Sequence, residues 1–235
     1  MKKRFVSLLV ALSITLTFLP IGAVAAAPIK FTDRNLKYTV NADGKSVTVS
    51  GTSRNPKQLT IESSISDGNG KSYTVTKIGM GAFNSTLEEV TLPPTLDEIE
   101  DSAFFKCSSL TEITIPEGVT KIGTNAFYGC SQLTSITIPS TITDMDTAFS
   151  GNTALSQVTL TNGIPKISSH AFERCTELRE IKVPISVDEI CPFAFNGCTG
   201  LTSVTLEKGI NIINSNAFKD CTELNDVKYN GYKTD

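Results

Sequence analysis

"IPEGVTKIGTNAFYGCSQLTSI", residues 115–136, defines a repeat, because this stretch returns in altered form along most of the chain. Each copy contains an Ala-Phe pair, and successive Phe residues are 21, 23, 22, 23, 23 and 23 positions apart. The seven are Phe83, Phe104, Phe127, Phe149, Phe172, Phe195 and Phe218. A period in the twenties is typical of a solenoid, in which each unit is too small to bury its apolar face alone and stacks on its neighbours.

Each unit divides into a strand and a return segment. In LTEITIP, residues 110–116, Ile113 and Ile115 alternate with Glu112 and Thr114, which predicts a strand with one buried face. The strand should end at Pro116, which has no N–H to donate. In VTKIGTNAF, residues 119–127, the apolar side chains are spaced by three, four and one, so we expect a short helix or 3-10 turn.

The unit I-P-x-x-V-x-x-I-x-x-x-A-F-x-x-C-x-x-L-x-x-I resembles the BspA-type, or Treponema pallidum-type, leucine-rich repeat over about residues 75–229. The resemblance implies a curved ribbon, with a parallel β-sheet on the concave side and short helical or 3-10 turns on the convex side. We assign these repeats to residues 76–235. Proteins of this family are typically exported surface or secreted proteins of host-associated bacteria, which implies adhesion to host extracellular proteins or to other cells.

The start of the chain predicts export. Lys2, Lys3 and Arg4 precede an apolar run, and Ala23-Val24-Ala25 is typical of a cleavage site, so residues 1–25 are interpreted as a signal peptide. A membrane anchor is disfavoured, because the apolar run is shorter than the roughly 20 residues that a span needs. We therefore expect a secreted or cell-surface protein with no membrane insertion after cleavage.

Residues 26–75 are predicted to form an N-terminal cap of β-hairpins. Asp43-Gly44 and the turn signal DGNG at residues 67–70 lie between alternating β-branched runs, so we expect two hairpins there. A cap is favoured over a separate ligand-binding module, because a solenoid needs its open end covered. QLTIESSI, which begins at Gln58, is interpreted as a degenerate first repeat.

Charge argues against nucleic acid and anionic membranes as partners. Cleavage after Ala25 would leave 18 basic and 24 acidic side chains, a formal charge of −6, with no basic stripe.

Five of the six cysteines form a column three positions after the repeat Phe. They are Cys107, Cys130, Cys175, Cys198 and Cys221. Stacked strands lie about 4.8 Å apart, so a disulfide such as Cys198–Cys221 is sterically allowed in an exported protein. Buried free thiols are favoured, because neighbouring Cβ atoms in a ladder point in parallel directions. No pair has the C-x₂₋₄-C spacing of a metal site, so no metal is expected.

The sequence offers no constellation for catalysis. The single histidine, His170, occupies a repeat position where other units have Ser102 or Asn125, which indicates a surface site. No nucleophile elbow, zinc-protease or phosphate-loop motif occurs. We therefore expect no enzyme activity, no catalytic residues and no cofactor.

The exposed face of the strands is the predicted binding surface, and its partner is expected to be a protein. Charges replace the Thr and Ser pattern at Arg179, Glu180 and Lys182. The full candidate set is Glu89, Glu112, Thr114, Gln157, Arg179, Glu180, Lys182 and Asp226. The shortened fourth repeat around residues 144–146 is an alternative binding site, since irregular loops often carry binding. The alternative function is a glycan-binding or purely structural scaffold of the cell envelope.

Overall fold

The computed structural model describes residues 27–231, and the predicted signal peptide lies outside that range. The described chain is a β-solenoid of about seven turns with parallel sheets. Its strands are β1 (Lys30–Asp33), β2 (Leu36–Val40), β3 (Ser46–Thr52), β4 (Gln58–Thr60), β5 (Ser64–Ser66), β6 (Ser72–Ile78), β7 (Glu89–Thr91), β8 (Glu98–Ile99), β9 (Lys121–Ile122), β10 (Ser135–Ile138), β11 (Gln157–Leu160), β12 (Lys166–Ile167), β13 (Glu180–Val183), β14 (Glu189–Ile190), β15 (Ser203–Leu206), β16 (Ile212–Ile213) and β17 (Asp226–Tyr229).

The main wall contains one extended segment from each turn, and its paired strands are all parallel. β4 pairs with β7, β10 with β11, and β15 lies between β13 and β17. Glu112 continues the wall through a single bridge to Glu89. Equivalent residues of successive repeats face each other, as in the pairing of Ile181 with Val204. The predicted strand position is therefore confirmed in the other repeats, whereas residues 110–116 contain only the bridge at Glu112. The register matches the repeat frame.

A second wall runs behind the first and contains β3, β6, β8 and β9, followed by β12, β14 and β16. Lys77 pairs with Glu98, and Glu98 pairs with Lys121, so opposite charges alternate from turn to turn. The Glu98 carboxylate lies 2.5 Å from the Lys77 Nζ and 2.7 Å from the Lys121 Nζ. The outward row is Lys77, Glu98, Lys121, Asp144, Lys166 and Glu189, and we call it the charge ladder.

The seven repeat phenylalanines stack at a corner inside the solenoid. Ring centroids of successive residues are 4.8 to 5.6 Å apart, and the rings are nearly parallel. The five from Phe104 to Phe195 are fully buried, whereas Phe218 in the last turn is half-buried. A continuous aromatic column therefore runs through the core along this corner.

The short helix or 3-10 turn predicted for residues 119–127 is not confirmed by this structure. Lys121–Ile122 forms the two-residue strand β9, and no helix is assigned anywhere in residues 27–231. Some backbone N–H groups bind the neighbouring turns: Gly123 donates to the Ile99 carbonyl and Phe127 to the Ala148 carbonyl, each at 2.8 Å. Others close local turns, as the Ala126 N–H does by donating to the Gly123 carbonyl at 3.1 Å. Asn125 has a φ of +57°, which interrupts any helical run.

That left-handed conformation recurs once per turn at the residue before the Ala-Phe pair. The column is Gly81, Ser102, Asn125, Thr147, His170, Phe193 and Asn216. His170 is thus one member of a column defined by its left-handed backbone conformation, and its Nδ1 lies 2.8 Å from the Glu173 carboxylate. A second left-handed column falls just before the cysteine position, where three turns have glycine: Gly129, Gly151 and Gly197.

The N-terminal segment contains both predicted hairpins. β2 and β3 pair antiparallel around Asp43-Gly44, and β5 and β6 pair antiparallel around residues 67–71. β1 adds an unpredicted antiparallel partner to β2. β3 then pairs in parallel with β6, which joins these strands to the second wall. In the main wall, Leu59 pairs with Val90, so β4 has the register of a repeat strand.

The cysteines are free thiols in the structure, and most are buried. In the column, the Cys130 thiol donates to the Phe104 carbonyl at 3.2 Å, and the Cys175 thiol donates to the Phe149 carbonyl at 3.4 Å. Asn152 takes the cysteine position in the fourth repeat and is fully buried. Neither its Nδ2 nor its Oδ1 has a hydrogen-bond partner among the described residues.

Candidate binding face

The outward side of the main wall, which we call the sheet face, follows directly from strand alternation. In β10 the burial pattern is exposed, buried, exposed, buried, and β13 repeats it. The buried positions hold aliphatic side chains of the core, so the alternate polar side chains must point away from it. Two polar columns therefore run along the sheet face, one residue of each column per turn.

The first half of the sheet face contains a shallow groove of about 580 Å³. It brings together three predicted residues, Glu89, Glu112 and Thr114. Thr91 and Thr137 also line it; they belong to the same column as Thr114 but were not in the candidate set. The lining contains two carboxylates and no lysine or arginine, so this groove is acidic.

A second groove of about 430 Å³ lies further along the same face. It brings together the predicted residues Gln157, Glu180 and Lys182. The Lys182 Nζ also lies 3.1 Å from the Glu207 carboxylate, which is one turn further on. Ser203 and Thr205 line the groove and were missing from the candidate set. This groove carries charges of both signs and a rim of hydroxyl groups.

Two predicted residues lie outside both linings. The exposed Arg179 guanidinium lies 3.0 Å from the Glu177 carboxylate, at the end of the strand instead of on its outward face. Asp226, in the last turn, lies 2.7 Å from the Lys228 Nζ and accepts a hydrogen bond from Ser203. These contacts lower the pKa of Asp226, the lysine contact being the largest cause.

The thiols are not suited to nucleophilic chemistry. Burial raises the pKa of Cys107 and Cys175 to about 12, which keeps them protonated at neutral pH. Within residues 27–231 there is no group of three or more His, Cys, Asp or Glu side chains that could hold a metal ion. No helix in that range is long and apolar enough to cross a bilayer.

Solved structures share this fold. A leucine-rich repeat protein from Bacteroides ovatus is 23% identical, with a TM-score of 0.55, covering 86% of this chain and 71% of its own. One from Bacteroides capillosus is 30% identical, with a TM-score of 0.52, covering 57% and 99%. The T. pallidum leucine-rich repeat protein is 20% identical, with a TM-score of 0.56, covering 83% and 91%. A search of curated proteins found no match.

The family assignment comes from a sequence model. The model of the BspA-type leucine-rich repeat region matches residues 62–147 and 145–234, in six copies. Leucine-rich repeats generally mediate protein–protein binding, and solenoids of this kind are typically non-enzymatic scaffolds. The repeat frame, the parallel sheets and the stacked phenylalanines all agree with that match, and the chain belongs to the BspA-type leucine-rich repeat family.

Proposed function

We propose that this chain is an exported binding protein that attaches to host extracellular proteins or to other cells through the sheet face. The observation that carries the proposal is the pair of adjacent grooves on that face, lined by polar side chains from consecutive turns. A rigid scaffold that presents neighbouring side chains at a fixed spacing suits recognition of an extended protein surface. Export is supported by the basic and apolar start of the sequence.

Charge indicates which partner surface each groove fits. The first groove has Glu89 and Glu112 and no cation in its lining, so it suits a basic patch on the partner. The second groove combines Glu180 with Lys182, and so suits a polar surface of mixed charge. Exposed charges act mainly on the association rate, so binding at the first groove should weaken as salt rises.

The test is a binding screen of the purified chain against immobilised extracellular matrix proteins, mucin and glycans. We expect saturable binding to a protein target that Glu112→Lys weakens and that Glu89→Lys with Glu112→Lys abolishes. The matched control is Asp146→Lys, which makes the same charge change in the exposed turn of the fourth repeat, away from the sheet face. The control should bind normally.

Two results would redirect the proposal. Loss of binding in Asp146→Lys, with the groove variants intact, would place the site at the irregular fourth repeat instead of the sheet face. Binding that is lost after periodate treatment of the target, and that does not depend on salt, would indicate a glycan ligand. Circular dichroism of each variant would show that the solenoid is still folded.

A further inference from the structure

The last turn of the solenoid leaves apolar side chains and a strand edge uncovered within the described residues. Val227 and Tyr229 of β17 are 59% and 57% exposed, and Ile212 and Ile213 of β16 are each 48% exposed. The residues of β15 that pair with Val227 and Tyr229 are buried. An uncovered edge of this composition favours pairing with another strand.

We propose that the β17 edge pairs with the β17 edge of a second copy of the chain, antiparallel and about a two-fold axis. A two-fold interface uses the same surface of both copies, so a single edge suffices to build it. Phe218 and Leu224, which are half-buried, also belong to this last turn.

Backbone geometry restricts how the two edges can meet. The Asp226 N–H donates to the Thr202 carbonyl of the preceding turn. Successive residues of a strand direct their N–H and C=O groups to opposite sides, so those of Val227 point to the free edge. A two-fold axis beside Val227 therefore lets this residue exchange both hydrogen bonds with its counterpart in the second copy.

Charge selects this register over its neighbours. Pairing about Val227 places Asp226 opposite Lys228 of the second copy, in the type of pair where side chains approach most closely. Moving the axis to Lys228 places lysine opposite lysine, and moving it to Asp226 places aspartate opposite aspartate. Intermediate registers would bring outward residues opposite inward ones. Among these registers, the one about Val227 satisfies both the backbone and the charges.

The first experiment is sedimentation of the purified chain and of two charge variants. The wild-type chain should shift from monomer to dimer over about a hundredfold range of concentration. Asp226→Lys places lysines opposite each other and Lys228→Asp places aspartates opposite each other, so each variant alone should be monomeric. An equimolar mixture of the two should form a heterodimer, because each lysine then faces an aspartate. A chain that merely misfolds could not regain association in the mixture.

Cross-linking tests the register independently. Counterparts in a hydrogen-bonded antiparallel pair have Cα atoms about 5.5 Å apart, within the range that a disulfide tolerates. Val227→Cys should therefore form an intermolecular disulfide on mild oxidation. Tyr229→Cys, the control, lies opposite Asn225 of the second copy and should not. A wild-type chain that stays monomeric, a dimer unaffected by the charge variants, or equal cross-linking at both positions would overturn the proposal.

Discussion

Replacing Asn152 with cysteine should stabilise the solenoid, because the side-chain amide of Asn152 is fully buried and makes no hydrogen bond with the described residues. The flanking turns have Cys130 and Cys175 at this position, and each thiol donates to the carbonyl of the preceding repeat's phenylalanine. The Asn152 amide has no partner for its Nδ2 or its Oδ1 among the described residues. Asn152→Cys would replace this amide with a side chain of similar volume that fits the column.

The magnitude follows from the cost of an unpaired amide. Burying one without a hydrogen bond costs about 1–3 kcal/mol in protein mutational data. We therefore expect Asn152→Cys to raise the free energy of unfolding by about 1–3 kcal/mol, or to raise Tm by roughly 2–4 °C per kcal/mol for a chain of this size. The new thiol should donate to the Phe127 carbonyl, by analogy with its neighbours.

The assay is urea unfolding under reducing conditions, which keeps the thiols of the column from forming disulfides. The matched control is Cys175→Asn, which introduces the same amide one turn away and should lower the free energy of unfolding by a similar amount. If Asn152→Cys left stability unchanged or reduced it, the amide would have to be satisfied in solution, and the reasoning from its missing partners would be refuted.

Three further predictions concern the stability of the folded chain. Phe127→Ala should cost roughly 3–5 kcal/mol, and Phe218→Ala clearly less because its ring is only half-buried; equal losses would contradict a column buried at its centre and open at its end. Thr147→Gly should stabilise by up to about 1 kcal/mol in thermal melts, because a β-branched residue is strained at a φ of +54°; a loss would show that its side-chain contacts outweigh the strain. Glu98 is partly buried, which raises its pKa, but hydrogen bonds from two lysines outweigh this and lower the pKa below its usual value of 4.5. The ionised Glu98 carboxylate therefore stabilises the folded state above pH 4.5, and this stabilisation is lost as the pH falls through the lowered folded-state pKa. Glu98→Gln should make the free energy of unfolding fall less steeply at acid pH, and an unchanged acid dependence would refute this.

The strand half of each repeat was predictable because its signals are local. Ile136 and Ile138 of β10 alternate with polar residues, and the Phe spacing fixes which residues of successive turns are neighbours. The return half was not predictable from periodicity. The spacing of Val119, Ile122 and Phe127 suits a helix, but the segment combines local turns with backbone bonds to the neighbouring repeats, and these do not form a continuous helical run. Glycine and asparagine at some positions of the two left-handed columns, such as Gly129 and Asn125, were the visible signal there.

The candidate binding face was predictable in outline but not in shape. Alternation is sufficient to point Glu112 and Thr114 outward, and both line the first groove. The grooves themselves depend on how successive strands are positioned, which no single repeat encodes. Arg179 shows the limit, since its position at the strand end and its ion pair with Glu177 direct it away from both grooves.

The charge ladder of the second wall has a consequence for how such a chain can change length. Its sign alternates with each turn, as from Lys77 to Glu98 to Lys121. Removing one repeat between Lys77 and Lys121 would bring two lysines together, whereas removing two repeats would place Lys77 beside Asp144 and keep opposite charges adjacent. This solenoid should therefore tolerate the gain or loss of two repeats in this stretch better than that of one. An even change in repeat number keeps opposite charges adjacent along the second wall, whereas an odd change brings like charges together.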